Sequence, residues 1–454
     1  MSDLDSIFKA YDVRGTFPDQ IDAAGCRAIG AAFAKFALSE GGDVPEIVVA
    51  RDMRPSGVEL SEAFSDGVRS QGVDVVDLGL ASTDLLYFAS GSRGAPGAMF
   101  TASHNPAQYN GIKFCLAGAR PVGIDTGLAQ VRDMARVELP SVASPGGYKQ
   151  LDLLNAFADH VRSFVDVSAF RPLKVVADTA NGMGGLVVPV VFETLPFELE
   201  ILYPELDGTF PNHPADPIQP ENQRDLCARV REVGADIGFA FDGDADRVFV
   251  VDELGIGLSG STTTALVAAG VLEKEPGATV LHNLICSKAV PEVVTENGGI
   301  PVRTKVGHSY IKAEMARTGA AFGGEHSAHY YFRDNYRADS GLIAAMHVLE
   351  RRCRGEEPMS ELRKPFDRYA DSGEINTQVA DPLAVIDAVA AHFSSASPAA
   401  NQDRLDGLTV DFGDWWFNLR PSNTEPLLRL NLEAATRDAC DDHTSEILHL
   451  ITKG

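Results

Sequence analysis

The chain has 454 residues, 44% hydrophobic and 23% charged, the composition of an ordinary soluble protein and too long for a single core. Its formal net charge of -25 with no basic block argues against nucleic acid and anionic membranes as partners. An anionic substrate must therefore be gripped by a few local Arg and Lys residues.

The opening MSDLDSIFKAYDVRG has neither a basic nor an apolar region of the kind a secretion signal needs, and TTALVAAGVL is too short to span a bilayer. Six widely spaced cysteines (Cys26, Cys115, Cys227, Cys286, Cys353 and Cys440), without CxxC spacing, read as reduced and mostly buried thiols. The expectation is a cytoplasmic globular protein.

Three stretches, EIVVARDMRPSG, LKVVADTANGMGG and ATVLHNLICSKAV, each read as a buried strand, a loop and a helix start. A second strand follows each. A third then runs into the most unusual loops: GAMFTASHNP, DIGFAFDGDADR and AAFGGEHSAHYYF. The order of elements predicts three divergent copies of one α/β unit, with the functional loops beyond the carboxyl ends of the strands. A Pro/Gly/Ser-rich linker is expected at 138–150, and the turn-rich 252–261 separates the second and third units. After 364–375 a helix and LDGLTVDFGDWWFNLRPSNTEPLLRLNLEA predict a small α+β domain built on a hairpin.

FAFDGDADRVFVV, 239–251, sets Asp242, Asp244 and Asp246 two residues apart inside strand-forming sequence. Carboxylates so spaced can converge on one hard cation, Mg²⁺ better than Ca²⁺ because Mg²⁺ uses few protein ligands and leaves room for phosphate oxygens. An EF-hand is rejected: Arg247 stands where that loop requires Gly, and strands rather than helices flank it. The other alternative is an acidic solvated turn, but such turns rarely interrupt sequence that looks buried on both sides. Arg247 would add a second positive charge facing a ligand.

TASHNPAQYNGIKF, 101–114, begins where a strand ends, with Ser103 among small and turn-forming residues. A Ser-His-Asp hydrolase is disfavoured because His104 is the next residue, and the G-x-S-x-G elbow is absent. Alone, Ser103 reads as part of a turn. Its place, equivalent to the aspartate loop of the next unit, favours a functional hydroxyl.

TASHNP, DGDADR, GEHSAH and RPSNTEP occur in this order and at these separations in the α-D-phosphohexomutase family. The chain resembles that family over nearly its whole length, the phosphomannomutase/phosphoglucomutase branch most. The resemblance implies three similar α/β domains with mixed sheets around a central cleft, at 1–145, 146–253 and 254–366, and a smaller α+β domain at 367–454. It implies that Ser103 carries a phosphoryl group, that Asp242, Asp244 and Asp246 hold Mg²⁺ with a phosphoserine oxygen, and that a hexose 1,6-bisphosphate is intermediate and activator. By the same resemblance Arg420, Ser422, Asn423 and Thr424 anchor the distal phosphate, and Glu325 and Ser327 meet sugar hydroxyls. His329 is the candidate general acid or base, Arg14 and Lys113 face the phosphoserine, and Tyr11, Lys288 and His308 are further ligand contacts. Lys113 is also a candidate proton shuttle. Arg429 is expected to support rather than touch the ligand, and His326 to be an exposed loop residue.

The implied activity is interconversion of mannose 6-phosphate and mannose 1-phosphate. The alternatives are dual use of glucose phosphates, a phosphoglucosamine mutase (disfavoured because that type reads closer to GEQSGH), a Mg²⁺ phosphatase, and an inactive sugar-phosphate-binding paralogue. Monomer and homodimer both stay open.

Overall fold

The computed structural model describes residues 4–41, 44–396, 400–421 and 427–453. In the first unit Glu46–Arg51 lies parallel to Asp74–Leu80 and to Gly97–Phe100, and Tyr109–Leu116 closes antiparallel against the latter. In the second, Leu173–Asp178 lies between Phe197–Leu202 and Ile237–Phe241, with Val248–Asp252 antiparallel beyond. In the third, Thr279–Asn283 lies between Ile300–Thr304 and Phe322–Gly324, with Tyr330–Phe332 antiparallel beyond. The spatial order second, first, third, fourth therefore repeats, and the three units are one topology.

Parallel neighbours require a crossover, and helices supply it. Gly57–Arg69 joins the first two strands of unit one, and Thr83–Arg93 leads to the third. The latter helix is capped by the Ser82 hydroxyl, which accepts from Leu85 N–H, and it ends at Gly94 with φ 64°. The helix Gly260–Lys274, containing the apolar run TTALVAAGVL, is buried nearly all round and serves as a core helix of unit three. Among the described residues no helix is long and apolar enough to cross a membrane.

The segment read as a linker differs from expectation. Its end, Tyr148–Gln150, pairs parallel with Asp74–Leu80, so the first sheet extends past residue 145. Its three side chains are all exposed and carry no burial pattern, and the backbone pairing is supplemented at the rim by the Tyr148 hydroxyl donating to Asp77 and by Lys149 bound to Glu46 at 2.9 Å.

One apolar cluster runs through the first three units, joining Leu86 and Met99 to Val175, Phe239 and Val250 and on to Leu266, Phe322 and Met346. The fourth domain has its own core. There the helices Pro382–Ala396 and Arg437–Lys453 set Ile386, Phe393 and Ile447 against Val410, Phe417 and Leu430 of an antiparallel sheet. Trp415–Pro421 and Leu427–Ala434 form the expected hairpin arms. Polar contacts fasten this domain to the third: Arg303 donates to Thr409 Oγ1 at 2.9 Å, and Arg368 bridges Glu292 and Glu296.

Candidate active site

The three unusual loops all join the third strand of a unit to its antiparallel fourth, so the repeated topology delivers them to equivalent places. Two meet directly. Ser103 Oγ donates to Asp242 Oδ2 at 2.8 Å, although 139 residues separate them. A side chain at Gly243 would come within 2.4 Å of the Ser103 carbonyl oxygen, so only glycine lets the loops approach so closely. Ser103 is itself in the left-handed region, φ 50°, with its N–H held by Thr101 Oγ1 at 2.8 Å.

Asp242, Asp244 and Asp246 are buried, and one carboxylate oxygen of each lies within 4.8 Å of the others. Burying three like charges is costly unless cations accompany them. Two do. Arg247 Nε donates to Asp242 Oδ2 at 2.9 Å, and Lys113 Nζ reaches Asp244 Oδ2 at 2.8 Å and Asp246 Oδ2 at 2.7 Å. Thr83, from the start of a first-unit helix, donates its hydroxyl to Asp244 Oδ2 at 2.6 Å. Burial pushes the Asp242 and Asp246 carboxyls above their ordinary range, and repulsion within the trio adds to it. Burial acts on Asp244 as well, but there Lys113 and the Thr83 hydroxyl outweigh it and hold the carboxyl low.

The second oxygens, Asp244 Oδ1 and Asp246 Oδ1, are buried without a hydrogen-bond partner among the described residues. Orphaned carboxylate oxygens beside the Asp242 carboxylate are hard donors for a small divalent cation. The trio fits one.

Ser103 and Arg247 line a cleft of about 1020 Å³, together with Tyr11, Arg14, Lys113, His308, His329 and Arg420. Arg14 donates to Asn105 Oδ1 at 2.5 Å and pairs with Asp12. Arg247 also faces Asp216 at 3.7 Å. His329 has Nδ1 3.1 Å from Ser327 Oγ and Nε2 3.8 Å from Asp246 Oδ1. His308 packs edge-on to Tyr11 at 5.2 Å, and burial lowers its pKa well below the ordinary value, with Lys312 acting in the same direction. Burial raises the Tyr11 phenol.

Several residues lie elsewhere than expected. Lys288 is not in the cleft: its ammonium binds Asp411 Oδ1 at 2.6 Å and Gly413 O at 2.8 Å, tying the third domain to the fourth. Glu325 stands behind the cleft wall, with Oε1 taken by Gly307 N–H and Asn283 and Oε2 by the Tyr331 hydroxyl at 2.8 Å. His326 is half-buried, 3.0 Å from Ser261 Oγ, and burial lowers its pKa. Arg429 lines the cleft beside Arg420. Ser422, Asn423 and Thr424 lie outside the described residues.

Sequence reasoning set His104 aside as a partner of Ser103 because it is the next residue, yet its Nδ1 lies 3.3 Å from Ser103 Oγ, and burial lowers its pKa well below the ordinary value. It missed Thr83 and Arg54 too. Their only signal was position, just beyond strand ends in VARDMR and LAST.

Three repeated α/β units and a fourth domain, enclosing a serine, a converging carboxylate trio and facing arginines, define a phosphoryl-transferring enzyme. Profiles described as "Phosphoglucomutase/phosphomannomutase" match the chain throughout: alpha/beta/alpha domain I over 5–135, domain II over 155–255, domain III over 259–369 and the C-terminal domain over 374–450. The chain belongs to the phosphoglucomutase/phosphomannomutase family. It is 40% identical over 437 residues to an Escherichia coli K12 protein named "Phosphomannomutase", covering 94% of each chain. It is likewise 40% identical over 449 residues to "Phosphohexose mutases" of Xanthomonas campestris pv. campestris, covering 98% of each. A solved family protein from Burkholderia thailandensis superposes with a TM-score of 0.87 at 36% identity, covering 100% of this chain and 99% of that one.

Proposed function

We propose that this chain interconverts mannose 6-phosphate and mannose 1-phosphate through a phosphoryl group carried on Ser103 and a hexose 1,6-bisphosphate, which is also the activator. The observation that carries the reading is the 2.8 Å contact of Ser103 Oγ with Asp242 Oδ2 at the wall of a cleft that also holds Arg420 and Arg429. Phosphoryl transfer needs in-line placement and charge neutralisation, and the arginines and Lys113 that line the cleft with Ser103 offer the charge.

In the first half-reaction the free sugar hydroxyl attacks the phosphorus of phosphorylated Ser103. The new O–P bond forms as the bond to Ser103 breaks, the hydroxyl proton passes to a base, and Ser103 recovers a proton. The bisphosphate turns end for end, and Ser103 Oγ then takes the other phosphoryl group by the reverse step. His329 and Lys113 are the candidate proton carriers, both lining the cleft. Arg14 and Arg247 hold phosphate charge near the serine, while Arg420 and Arg429 hold it at the distal end. Asp242, Asp244 and Asp246 would hold Mg²⁺, whose charge would offset that on the phosphoryl oxygens. Ser327 and Tyr11 remain candidate ligand contacts. Six unpaired thiols support a cytoplasmic location.

Mannose is the preferred sugar in this reading because the E. coli relative bears the name phosphomannomutase. The Xanthomonas name keeps a dual-specificity mutase as the second reading. The two sugars differ at one hydroxyl centre, a discrimination of roughly 1–3 kcal/mol if that centre is weakly contacted. A coupled assay with Mg²⁺ and a trace of hexose bisphosphate, comparing mannose 1-phosphate with glucose 1-phosphate, separates them. Release of free phosphate in place of the 6-phosphate isomer would overturn the mutase reading.

A further inference from the structure

Arg54 is fully buried, lies outside the cleft lining, and spends every N–H of its guanidinium on the structure around Ser103. Nε donates to Asp52 Oδ2 at 3.1 Å. One terminal nitrogen donates to the carbonyls of Pro106 at 2.8 Å and Tyr109 at 3.0 Å, the other to those of Ser103 at 2.9 Å and Asn105 at 2.7 Å. Asp52 fixes the arginine a second time, since its Oδ1 accepts the Arg54 backbone N–H at 2.9 Å.

Four carbonyl oxygens of one hairpin converging on a point repel one another unless a cation stands there. A planar, always charged guanidinium suits that place, whereas a lysine is a point charge with fewer and freely rotating donors. The second domain closes over the arrangement. The Phe210 ring lies 5.2 Å from the guanidinium carbon, and a side chain at Gly208 would come 2.7 Å from Arg54 Cα. Four carbonyls of the serine hairpin, with its left-handed residue at Ser103, are thus held by one side chain.

We propose that Arg54 is a positioning residue for phosphoryl transfer, fixing the direction of Ser103 Oγ toward the aspartate trio through the carbonyls of residues 103–109 without touching substrate. The proposal rests on the reading of Ser103 as phosphoryl carrier. A displacement of the order of 1 Å at a reacting centre costs about 100-fold in rate, so a small loosening of this hairpin is kinetically visible.

The test is Arg54→Lys, which retains the charge but not the fork, with Asp52→Asn as a second variant that keeps the four carbonyl bonds and loosens Nε. Melting temperature, kcat, KM for the hexose phosphate and the phosphate content of the Ser103 peptide after incubation with hexose 1,6-bisphosphate are measured on each. Arg54→Lys is expected to lower kcat per folded molecule roughly 10- to 100-fold, leave KM within about twofold, and slow phosphate loading of Ser103. Asp52→Asn is expected to do the same more weakly, and it carries the test if Arg54→Lys does not fold. A folded variant with unchanged kcat overturns the proposal, as does a fall in activity that only tracks the loss of folded protein. Wild-type enzyme that takes no phosphate on Ser103 would instead overturn the carrier reading itself, so the two failures are distinct.

Discussion

Arg420 and Arg429 stand directly opposite each other on adjacent antiparallel strands, and the carboxylate of Glu374 reaches both, at 2.8 and 3.2 Å. Like charges in cross-strand register are unfavourable without a counter-anion. Glu374 neutralises one of the two, leaving about one positive charge turned to the cleft for a phosphate. Each Nε is buried without a partner among the described residues, which leaves further donors available. Arg429→Gln and Arg420→Gln are therefore each expected to raise KM for the hexose phosphate roughly tenfold or more, since charge-assisted hydrogen bonds contribute about 1.5–3 kcal/mol. If Arg429 only braced its strand, steady-state kinetics would show an unchanged KM beside a lowered melting temperature.

Ser103→Ala removes one hydroxyl that donates to Asp242 and leaves the arginines in place. Turnover is expected to fall at least about 10³-fold, the scale on which loss of a covalent nucleophile is felt. Calorimetric binding of hexose phosphate should change little, and the stability lost with one hydrogen bond is about 1 kcal/mol. Retained turnover in this variant would rule Ser103 out as the carrier. Loss of binding together with turnover would make its role architectural.

Much of this site was legible because chemistry and periodicity coincided. IGFAF and VFVV are apolar throughout, which marks strands buried on both faces, so three aspartates between them favour a site over a solvated turn. The repeated order of strands then placed Ser103 and Asp242 at equivalent loop positions before any contact was known. Less legible were the residues whose direction depends on tertiary partners. Lys288 follows a strand of its unit and opens the helix Ala289–Glu296, and its ammonium is held by Asp411, 123 residues later. Glu325 sits in the expected loop, where Tyr331 and Asn283 engage its carboxylate and His329 lies 3.7 Å from it. Arg54 reads as part of an ordinary approach to a helix because, Asp52 apart, its partners are backbone carbonyls, which leave no mark in side-chain sequence.

Asp84 offers a pH test independent of catalysis. Its carboxyl, at the start of the helix Thr83–Arg93, is fully buried and accepts hydrogen bonds from Ser82 and, at 2.6 Å, from Ser340 of the third domain. Burial pushes it up to about 7, the two hydroxyls oppose that, and the nearby charges of Asp246 and Asp339 add to it. An unfolded aspartate titrates near 3.9. Below about pH 4 the group is protonated in both states; above that the unfolded chain ionises first, so folding stability falls as pH rises to about 7 and then levels off. The contribution lost is up to about 4 kcal/mol. Asp84→Asn cannot ionise and is expected to flatten the slope of denaturation midpoint against pH between about 4 and 7. An unchanged slope would show that Asp84 titrates normally.

Removal of the cation tests the carboxylate trio directly. Asp244 Oδ1 and Asp246 Oδ1 are the buried oxygens without protein partners, and a divalent ion held by them should stabilise the fold that binds it. Chelation is expected to stop turnover and Mg²⁺ to restore it, with a melting temperature that rises with Mg²⁺ concentration. At about 100 times the dissociation constant the stabilisation is about 2.7 kcal/mol. Asp246→Asn removes one ligand charge while Asp242 and Asp244 keep theirs, so titration calorimetry should show affinity falling about tenfold or more. Lys113 then loses one of its two carboxylate partners, which weakens its hold on the loop as well. Equal Mg²⁺ affinity in wild type and Asp246→Asn would mean that the cation, if it binds, does so away from this trio.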